Sequence, residues 1–209
     1  MLLHAPLTHA QAACDSAHIA GGLRDAVVKV AVSDGIQQSG VVVAHDRVVT
    51  VWHGLVGNPQ PQVHIDGAWY AASHVQYDAE RDLALLTVPT LRATPVTLLD
   101  RTLQAGEAVW AFGWPAGQFQ TVGEGVYLGD WRGAARITPL VEAGQSGGAL
   151  IACHAGRALL AGLVTGFGAR DFEGTLQREP NMSLAVPASV MLEFFEQSHA
   201  VSVARESDG

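Results

Sequence analysis

The sequence has little positive charge. Its 209 residues include 12 Lys and Arg against 20 Asp and Glu, and Lys29 is the only lysine, so the formal net charge is −8. Binding to nucleic acid or to an anionic membrane needs a cationic face that neutralises phosphates. We therefore expect neither as a partner.

Long apolar runs are also missing. No stretch reaches the roughly 18 consecutive apolar residues of a transmembrane helix, and we expect no membrane span. Hydrophobic residues make up 48% of the chain and charged residues 15%, a balance that supports a buried core. A length of 209 residues predicts one large domain or two fused halves.

Cysteine is scarce, with Cys14 and Cys153 far apart in the chain. In an oxidising compartment one disulfide would tie the N-terminal segment to the body, whereas in a reducing compartment two unrelated thiols are the simpler interpretation. The histidines lack metal-type spacing such as His-Glu-x-x-His. We predict no metal and no cofactor.

The N-terminus carries a pattern typical of export. Ala10-Gln11-Ala12 fits the small-x-small site of a signal peptidase and predicts a secreted or periplasmic protein, with residues 1–23 as signal or tail. The stretch has no Lys or Arg and contains His4 and Pro6, so a cytoplasmic location is the alternative.

The 23 glycines and the valine-rich runs favour many short strands over long helices. One helix is expected from about Pro187-Ala188-Ser189, where apolar residues recur on one face. The pattern predicts an all-β fold, either barrels or a sandwich. Strands are expected at 26–32, 40–51 (split by a turn at 44–47), 62–65, 69–75, 83–88, 108–112, 125–131, 149–152, 158–165 and 182–186.

The charged, Pro-containing stretch 90–104 is the best candidate for a seam between two halves. We place an N-terminal half at 24–98, a C-terminal half with the closing helix at 99–198, and a disordered tail at 199–209, where the composition turns polar.

The segment with the strongest chemical signal is Gly144-Gln145-Ser146-Gly147-Gly148. Its glycines allow a tight loop whose N–H groups point inward, the arrangement that holds a tetrahedral oxyanion. Ser146 is then a candidate nucleophile. A serine among glycines is also common in plain turns, so the interpretation needs a base.

His53 is the best candidate base, because it ends an apolar strand pattern and a serine hydroxyl needs a nearby imidazole to take its proton. Asp78 and Asp82 compete as the carboxylate that orients it. Asp82 directly precedes the apolar Leu83-Ala84-Leu85-Leu86, where it could fix the imidazole tautomer. Asp78 has the setting of a turn residue.

These three segments, in the order His, Asp, Ser, resemble those of the chymotrypsin-like serine proteases, and especially their HtrA-type branch. The matching pieces are Thr50-Val51-Trp52-His53, the Asp-Leu-Ala-Leu-Leu strand at 82–86 and the loop at 144–148. Shorter matches at 39–42, 112–117 and 184–187 extend the resemblance over residues 27–195. It covers the protease domain alone, without a PDZ module.

The resemblance implies two six-stranded antiparallel β-barrels with a C-terminal helix and an active site in the cleft between them. It implies serine endopeptidase activity through His53, Asp82 and Ser146, with the N–H groups of Gly144 and Ser146 as the oxyanion hole. Polypeptides would be the substrates. A catalytically weak or inactive binding module with the same fold is the alternative.

The resemblance also implies where specificity lies. The position six residues before the nucleophile forms the floor of the pocket for the P1 side chain, and here it is Leu140, with Thr165 and Phe167 as walls. An apolar floor predicts cleavage after aliphatic residues, not after Arg or Lys. Gln145 replaces the usual Asn or Asp, so we expect the loop to be ordered by its own backbone contacts or by substrate, and not by a cleaved N-terminus at Ile19.

Overall fold

The computed structural model describes residues 14–32, 35–58, 60–88 and 93–198. The candidate signal site and the predicted tail lie outside these ranges. The helices and strands in the described part are α1 Ser16–Leu23, β1 Val27–Ala31, β2 Gln37–Ala44, β3 Arg47–Thr50, β4 Gln62–Ile65, β5 Ala68–Ala71, β6 His74–Asp78, β7 Leu83–Thr87, β8 Ala108–Gly113, β9 Thr121–Trp131, β10 Ala134–Ile137, β11 Ala149–His154, β12 Arg157–Phe172, β13 Thr175–Pro187 and α2 Ala188–Gln197.

The N-terminal strands form one antiparallel sheet in the order β5-β4-β1-β2-β3-β7-β6. It has seven strands where six were expected, because the predicted strand 69–75 is two strands. The chain leaves β5, which pairs with β4, and crosses to the opposite edge as β6, which pairs with β7. The break falls at Ala72 and Ser73, whose N–H groups bond to the carbonyls of Pro61 and Thr87.

The C-terminal strands close into a six-stranded barrel in the order β10-β13-β12-β11-β8-β9. The sequence did not reveal β10, and it predicted only the inner parts of β12 and β13, which continue outward as a hairpin paired from Ala169–Arg178 to Phe172–Thr175. An all-β fold of two curled sheets, chymotrypsin-like in architecture, is confirmed.

Valine-rich strands supply the core. β2 is buried on both faces over residues 38–43, as a strand covered by two layers must be. Near the predicted boundary, Leu98 packs into the core cluster that holds the N-terminal sheet, and Leu99 packs into the cluster inside the C-terminal barrel. The chain therefore passes from the first core cluster to the second between residues 98 and 99.

Residues 14–23, which the sequence analysis assigned to a signal or tail, include a folded helix. The Asp15 carboxylate caps α1 by accepting from the His18 N–H at 2.7 Å, and Ile19 is fully buried. A disulfide joins Cys14 to Cys153 on β11. These ten residues therefore pack against the folded body.

The closing helix predicted from Pro187 onward is present as α2, which begins at Ala188. Met191, Phe194 and Phe195 are buried against the core, on the face that the periodicity predicted. Neither α1 nor α2 is long and apolar enough to cross a membrane, and the described ranges hold no other candidate.

The disulfide should stabilise the fold measurably. Its two residues are 139 apart, so the chain-entropy model assigns the bond roughly 5 kcal/mol through the restricted unfolded state. We predict that the double variant Cys14→Ser/Cys153→Ser loses stability up to that amount in urea unfolding. Wild-type protein alkylated without reductant should show no free thiol by intact mass, and two alkylated cysteines would contradict the pairing.

Candidate active site

His53 lies three residues beyond the end of β3, in a short 3-10 turn over His53–Leu55. The strand holds the turn in place, because β3 pairs with β7 and the Trp52 N–H donates to the Asp82 carbonyl at 3.2 Å. The imidazole is 53% exposed. It is therefore rigidly mounted at its base and accessible at its tip.

Asp82 uses both carboxylate oxygens on His53. Its Oδ1 accepts from the His53 backbone N–H at 2.7 Å, and its Oδ2 lies 2.7 Å from His53 Nδ1. This pairing assigns the proton to Nδ1, which leaves Nε2 free to accept one. Asp82 has a φ of 55°, a left-handed conformation that Asp and Asn tolerate better than most residues.

The carboxylate raises the pKa of His53 above its ordinary value of 6.5. The hydrogen bond from Nδ1–H to Asp82 contributes most, partial burial acts in the opposite direction, and the charge of Asp82 adds to the increase. The pair therefore favours a protonated imidazole, as a base that carries a proton between steps requires.

The competing carboxylate, Asp78, is occupied elsewhere. Its Oδ1 accepts from the N–H groups of Glu80 and Arg81, each at 3.0 Å, and its Oδ2 lies 2.6 Å from Arg81 Nη1. The Arg81 N–H is the main reason that the pKa of Asp78 lies below its ordinary value. Asp78 closes a turn and does not contact His53.

The loop that carries Ser146 packs against the strand that leads to His53. Gly147 has a φ of +82°, and a Cβ there would lie 2.1 Å from the Ser39 carbonyl oxygen and 2.3 Å from Thr50 Oγ1. Only glycine fits this approach. Thr50 is the last residue of β3, so the candidate nucleophile lies beside the strand end that holds the candidate base.

The Ser146 hydroxyl donates to the Thr165 carbonyl at 2.9 Å. Within the described residues it has no hydrogen bond to His53. The structure therefore joins two of the three predicted residues directly and places the third with its hydroxyl turned to β12. A rotation about the Cα–Cβ bond of Ser146 would redirect its oxygen.

Two backbone N–H groups near Ser146 are unoccupied. Among the described residues, neither the Gly144 nor the Ser146 N–H has an acceptor, whereas the intervening Gln145 N–H donates to the Glu142 carbonyl at 3.0 Å. Gly144 has a φ of +91°, and a Cβ there would lie 2.6 Å from the Ala116 nitrogen. This backbone conformation leaves two donors for an oxyanion.

Gln145 orders the loop without a charge. It is 3% exposed, its Oε1 accepts from the Glu142 N–H at 2.8 Å, and its Nε2 donates to Thr121 Oγ1 at 3.0 Å. Both ends of the amide are satisfied inside the C-terminal barrel. The buried amide therefore links the Ser146 loop to residue 142 and to the first residue of β9.

The cavity that Leu140 lines does not include the other two predicted specificity residues. Leu140 is 70% exposed and lines a cavity of about 400 Å³ that Phe119, Val122 and Gln145 also line, but not Thr165 or Phe167. Leu140 thus lies at the surface of this structure, and its assignment as the floor of the P1 pocket stays a prediction.

Thr165 and Phe167 lie beside the nucleophile loop on β12. The Phe167 ring carries the Arg178 guanidinium 3.8 Å from its centre, and Arg178 also donates to the Val141 carbonyl. Arg178 thus joins the segment five residues before Ser146 to β12. The sequence carried no signal for this contact, since Arg178 lies in a polar stretch without periodicity.

Within the described ranges no group of three or more His, Cys, Asp or Glu side chains could hold a metal ion. The site consists of an imidazole paired with a carboxylate and a serine hydroxyl beside two free N–H donors, on a fold of two curled β-sheets. This combination defines the class of chymotrypsin-like peptidases.

The comparisons with known proteins agree with that class. Residues 38–161 match the family model of the trypsin-like peptidase domain, and the chain belongs to this family as a serine protease domain of the HtrA type. It is 30% identical to the mouse serine protease HTRA4 over 177 residues, which cover 77% of this chain and 34% of that protein.

Two solved protease structures also have folds similar to that of this chain. The active form of the Rv3671c protease from M. tuberculosis has a TM-score of 0.75 at 20% identity, covering 99% of this chain and 97% of that one. The HtrA-type protease AlgW with a tripeptide has a TM-score of 0.73 at 23% identity, covering 88% and 63%. The chain spans about a third of the length of the mouse relative.

The His53–Asp82 pair yields a prediction that needs no activity assay. We expect Asp82→Asn to lower the pKa of His53, because the hydrogen bond to a carboxylate and its negative charge are lost while the burial that lowers the pKa stays. Asn tolerates the backbone conformation of Asp82. NMR titration of the histidines measures the shift.

The matched control for this titration is Asp78→Asn, because Asp78 contacts Arg81 and not His53. It should leave the His53 pKa unchanged. An equal pKa in wild type and Asp82→Asn would contradict the pairing.

Proposed function

We propose that the protein is a serine endopeptidase that hydrolyses polypeptides through an acyl-enzyme. The observation that carries the proposal is the His53–Asp82 pair, which leaves Nε2 free beside a loop with two unoccupied N–H donors. Membership of the trypsin-like peptidase family supports it.

In the first step the Ser146 hydroxyl turns from the Thr165 carbonyl toward His53. Its oxygen attacks the carbonyl carbon of the scissile bond while its proton passes to Nε2 of His53. The negative charge moves to the carbonyl oxygen, which accepts hydrogen bonds from the N–H groups of Gly144 and Ser146.

In the second step the imidazolium returns its proton to the amine, and the peptide C–N bond breaks. Ser146 then holds the acyl group as an ester. A water molecule repeats the sequence with His53 as base, releasing the acid and restoring the hydroxyl. Asp82 stays ionised throughout and stabilises the imidazolium, in keeping with the raised pKa of His53.

Export is part of the same proposal. The bond between Cys14 and Cys153 supports an oxidising compartment, since cytosolic thiols are kept reduced. A secreted or periplasmic location would place the peptidase where it meets extracytoplasmic polypeptides. Reduced cysteines in protein taken directly from its native compartment would argue for the cytoplasmic alternative.

A second candidate function is a binding module with this fold that holds polypeptides without cleaving them. The observation in its favour is the bond from Ser146 Oγ to the Thr165 carbonyl, which turns the hydroxyl away from His53. Labelling by a fluorophosphonate probe separates the two, because only an activated serine reacts at an appreciable rate.

We predict that Ser146→Ala lowers peptide hydrolysis by at least about a thousandfold, because the nucleophile is lost. The fold should persist, since the hydroxyl makes one hydrogen bond, to the Thr165 carbonyl. Cleavage of casein and probe labelling measure the effect. Ser73→Ala is the matched control, because Ser73 Oγ lies on the N-terminal sheet, 3.3 Å from the Thr87 carbonyl. Wild-type cleavage by Ser146→Ala would refute the assignment.

We also predict that cleavage follows small or medium aliphatic residues and not Arg or Lys. The reason is the Arg178 guanidinium, which stacks on Phe167, a predicted wall of the P1 pocket. A cationic P1 side chain beside this wall would be repelled by the like charge of Arg178. A peptide library read by mass spectrometry measures the P1 preference. Arg178→Gln should raise cleavage after Arg and Lys relative to aliphatic residues. A dominant Arg or Lys at P1 in the wild type would show the prediction to be wrong.

A further inference from the structure

We propose that Ser39, on strand β2 of the N-terminal sheet, is a positioning residue that holds both donors of the oxyanion hole in place. The inference rests on the proposed function, since it concerns the same loop. Ser39 belongs to none of the three segments that carry His53, Asp82 and Ser146. It lies 105 positions before Gly144 in the sequence.

Every polar group of Ser39 is used, and all of its contacts surround the site. Its N–H donates to the Ser146 carbonyl at 2.8 Å. Its hydroxyl donates to the Gly144 carbonyl and accepts from the Trp114 N–H, both at 2.9 Å. Its carbonyl accepts from Thr50 Oγ1 at 2.6 Å.

The two residues that Ser39 holds by their carbonyls are the same two that present free N–H groups. Each peptide unit is planar, so a held carbonyl fixes the peptide plane that follows its residue, 144–145 or 146–147. The Gly144 N–H lies in the plane just before the first held plane, and the Ser146 N–H lies in the plane between the two. Ser39 therefore restrains the backbone on one side of the Gly144 donor and on both sides of the Ser146 donor.

The restraint is itself buried and supported. Ser39 and Thr50 are fully buried, and Gln38 donates from Nε2 to Thr50 Oγ1 at 2.8 Å and to the Val51 carbonyl at 3.1 Å. Thr50 and Val51 lead directly to His53. A chain of hydrogen bonds in a low-dielectric interior is stronger than in water, so base and oxyanion donors share one rigid support.

The position of Ser39 explains why a hydroxyl is required there. The Gly113 Cα carries no side chain, and a Cβ at that position would lie 2.9 Å from Ser39 Oγ. The hydroxyl of Ser39 occupies this space. Its two hydrogen bonds connect Trp114, just after β8, to Gly144 in the loop that carries Ser146. An alanine at position 39 would leave the partly buried Gly144 carbonyl and Trp114 N–H without this partner.

The test compares Ser39→Ala with wild type by steady-state kinetics on a peptide substrate. A misplaced oxyanion hole weakens the transition state more than the ground state. We expect kcat to fall about 10- to 100-fold, less than the loss of a direct donor costs, with KM changed by less than about threefold. Rates are divided by the concentration of sites that a fluorophosphonate labels to completion.

A second readout is affinity for a peptide boronate, whose adduct with Ser146 is tetrahedral and negatively charged like the intermediate. Its affinity should fall by a factor similar to the fall in kcat, while binding of the corresponding peptide with a terminal amide in place of the boronate stays unchanged. Tyr127→Phe is the control, because it removes another hydroxyl of a buried residue in the C-terminal barrel, one bonded to Asp130. It should keep wild-type kcat.

If Ser39→Ala does not fold, two variants of Thr50 test the inference instead. Thr50→Val removes the donor to the Ser39 carbonyl and Thr50→Ser keeps it, so kcat should fall in the first and recover in the second. Unchanged kcat and boronate affinity in Ser39→Ala, or in Thr50→Val where Ser39→Ala is unfolded, would overturn the inference. So would a loss that disappears once rates are divided by labelled sites. An unreactive Ser146 in the wild type would instead refute the proposed function.

Discussion

The contact between β2 and the loop before β11 is the constraint on which the rest of the site depends. It is made at van der Waals distance, since Gly147 leaves no room for a Cβ beside Ser39 and Thr50. Through it the N-terminal sheet, which carries His53 and Asp82, meets the C-terminal barrel, which carries Ser146. Polar atoms at this junction are buried and paired, so a shift of either sheet would break several hydrogen bonds together.

The fold was predictable where a strand has one clear burial pattern and closes on turn residues. The valine-rich β2 and β3 were recognisable in this way, as was α2 with its apolar face. The outer hairpin of β12 and β13 was not, because residues 169–178 are mostly exposed on both faces and carry no alternation. Helix α1 was hidden by the export pattern ahead of it, although Asp15 supplied an N-cap signal.

In the candidate site, too, some residues could be predicted from the sequence and others could not. His53 and Asp82 were found because each adjoins an apolar strand, and strand ends bring distant residues together. The role of Leu140 rests on a count along the chain, which does not give the path of a loop, and it stays a prediction. Ser39 was not found as a positioning residue because a serine before a glycine has the local signature of a turn, and its importance depends on partners 75 to 107 residues away.

The distribution of the reacting groups over the two sheets has a mechanical consequence. His53 follows the end of β3 and Asp82 directly precedes β7, and these strands are neighbours in one ladder, so the imidazole and the carboxylate move together. A separation of the two sheets would lengthen the distance from this pair to the hydroxyl and would break the hydrogen bonds of Ser39 to the Ser146 loop. Turnover would then stop while the proton acceptor stays assembled, and closing the cleft would re-form these contacts without refolding either sheet.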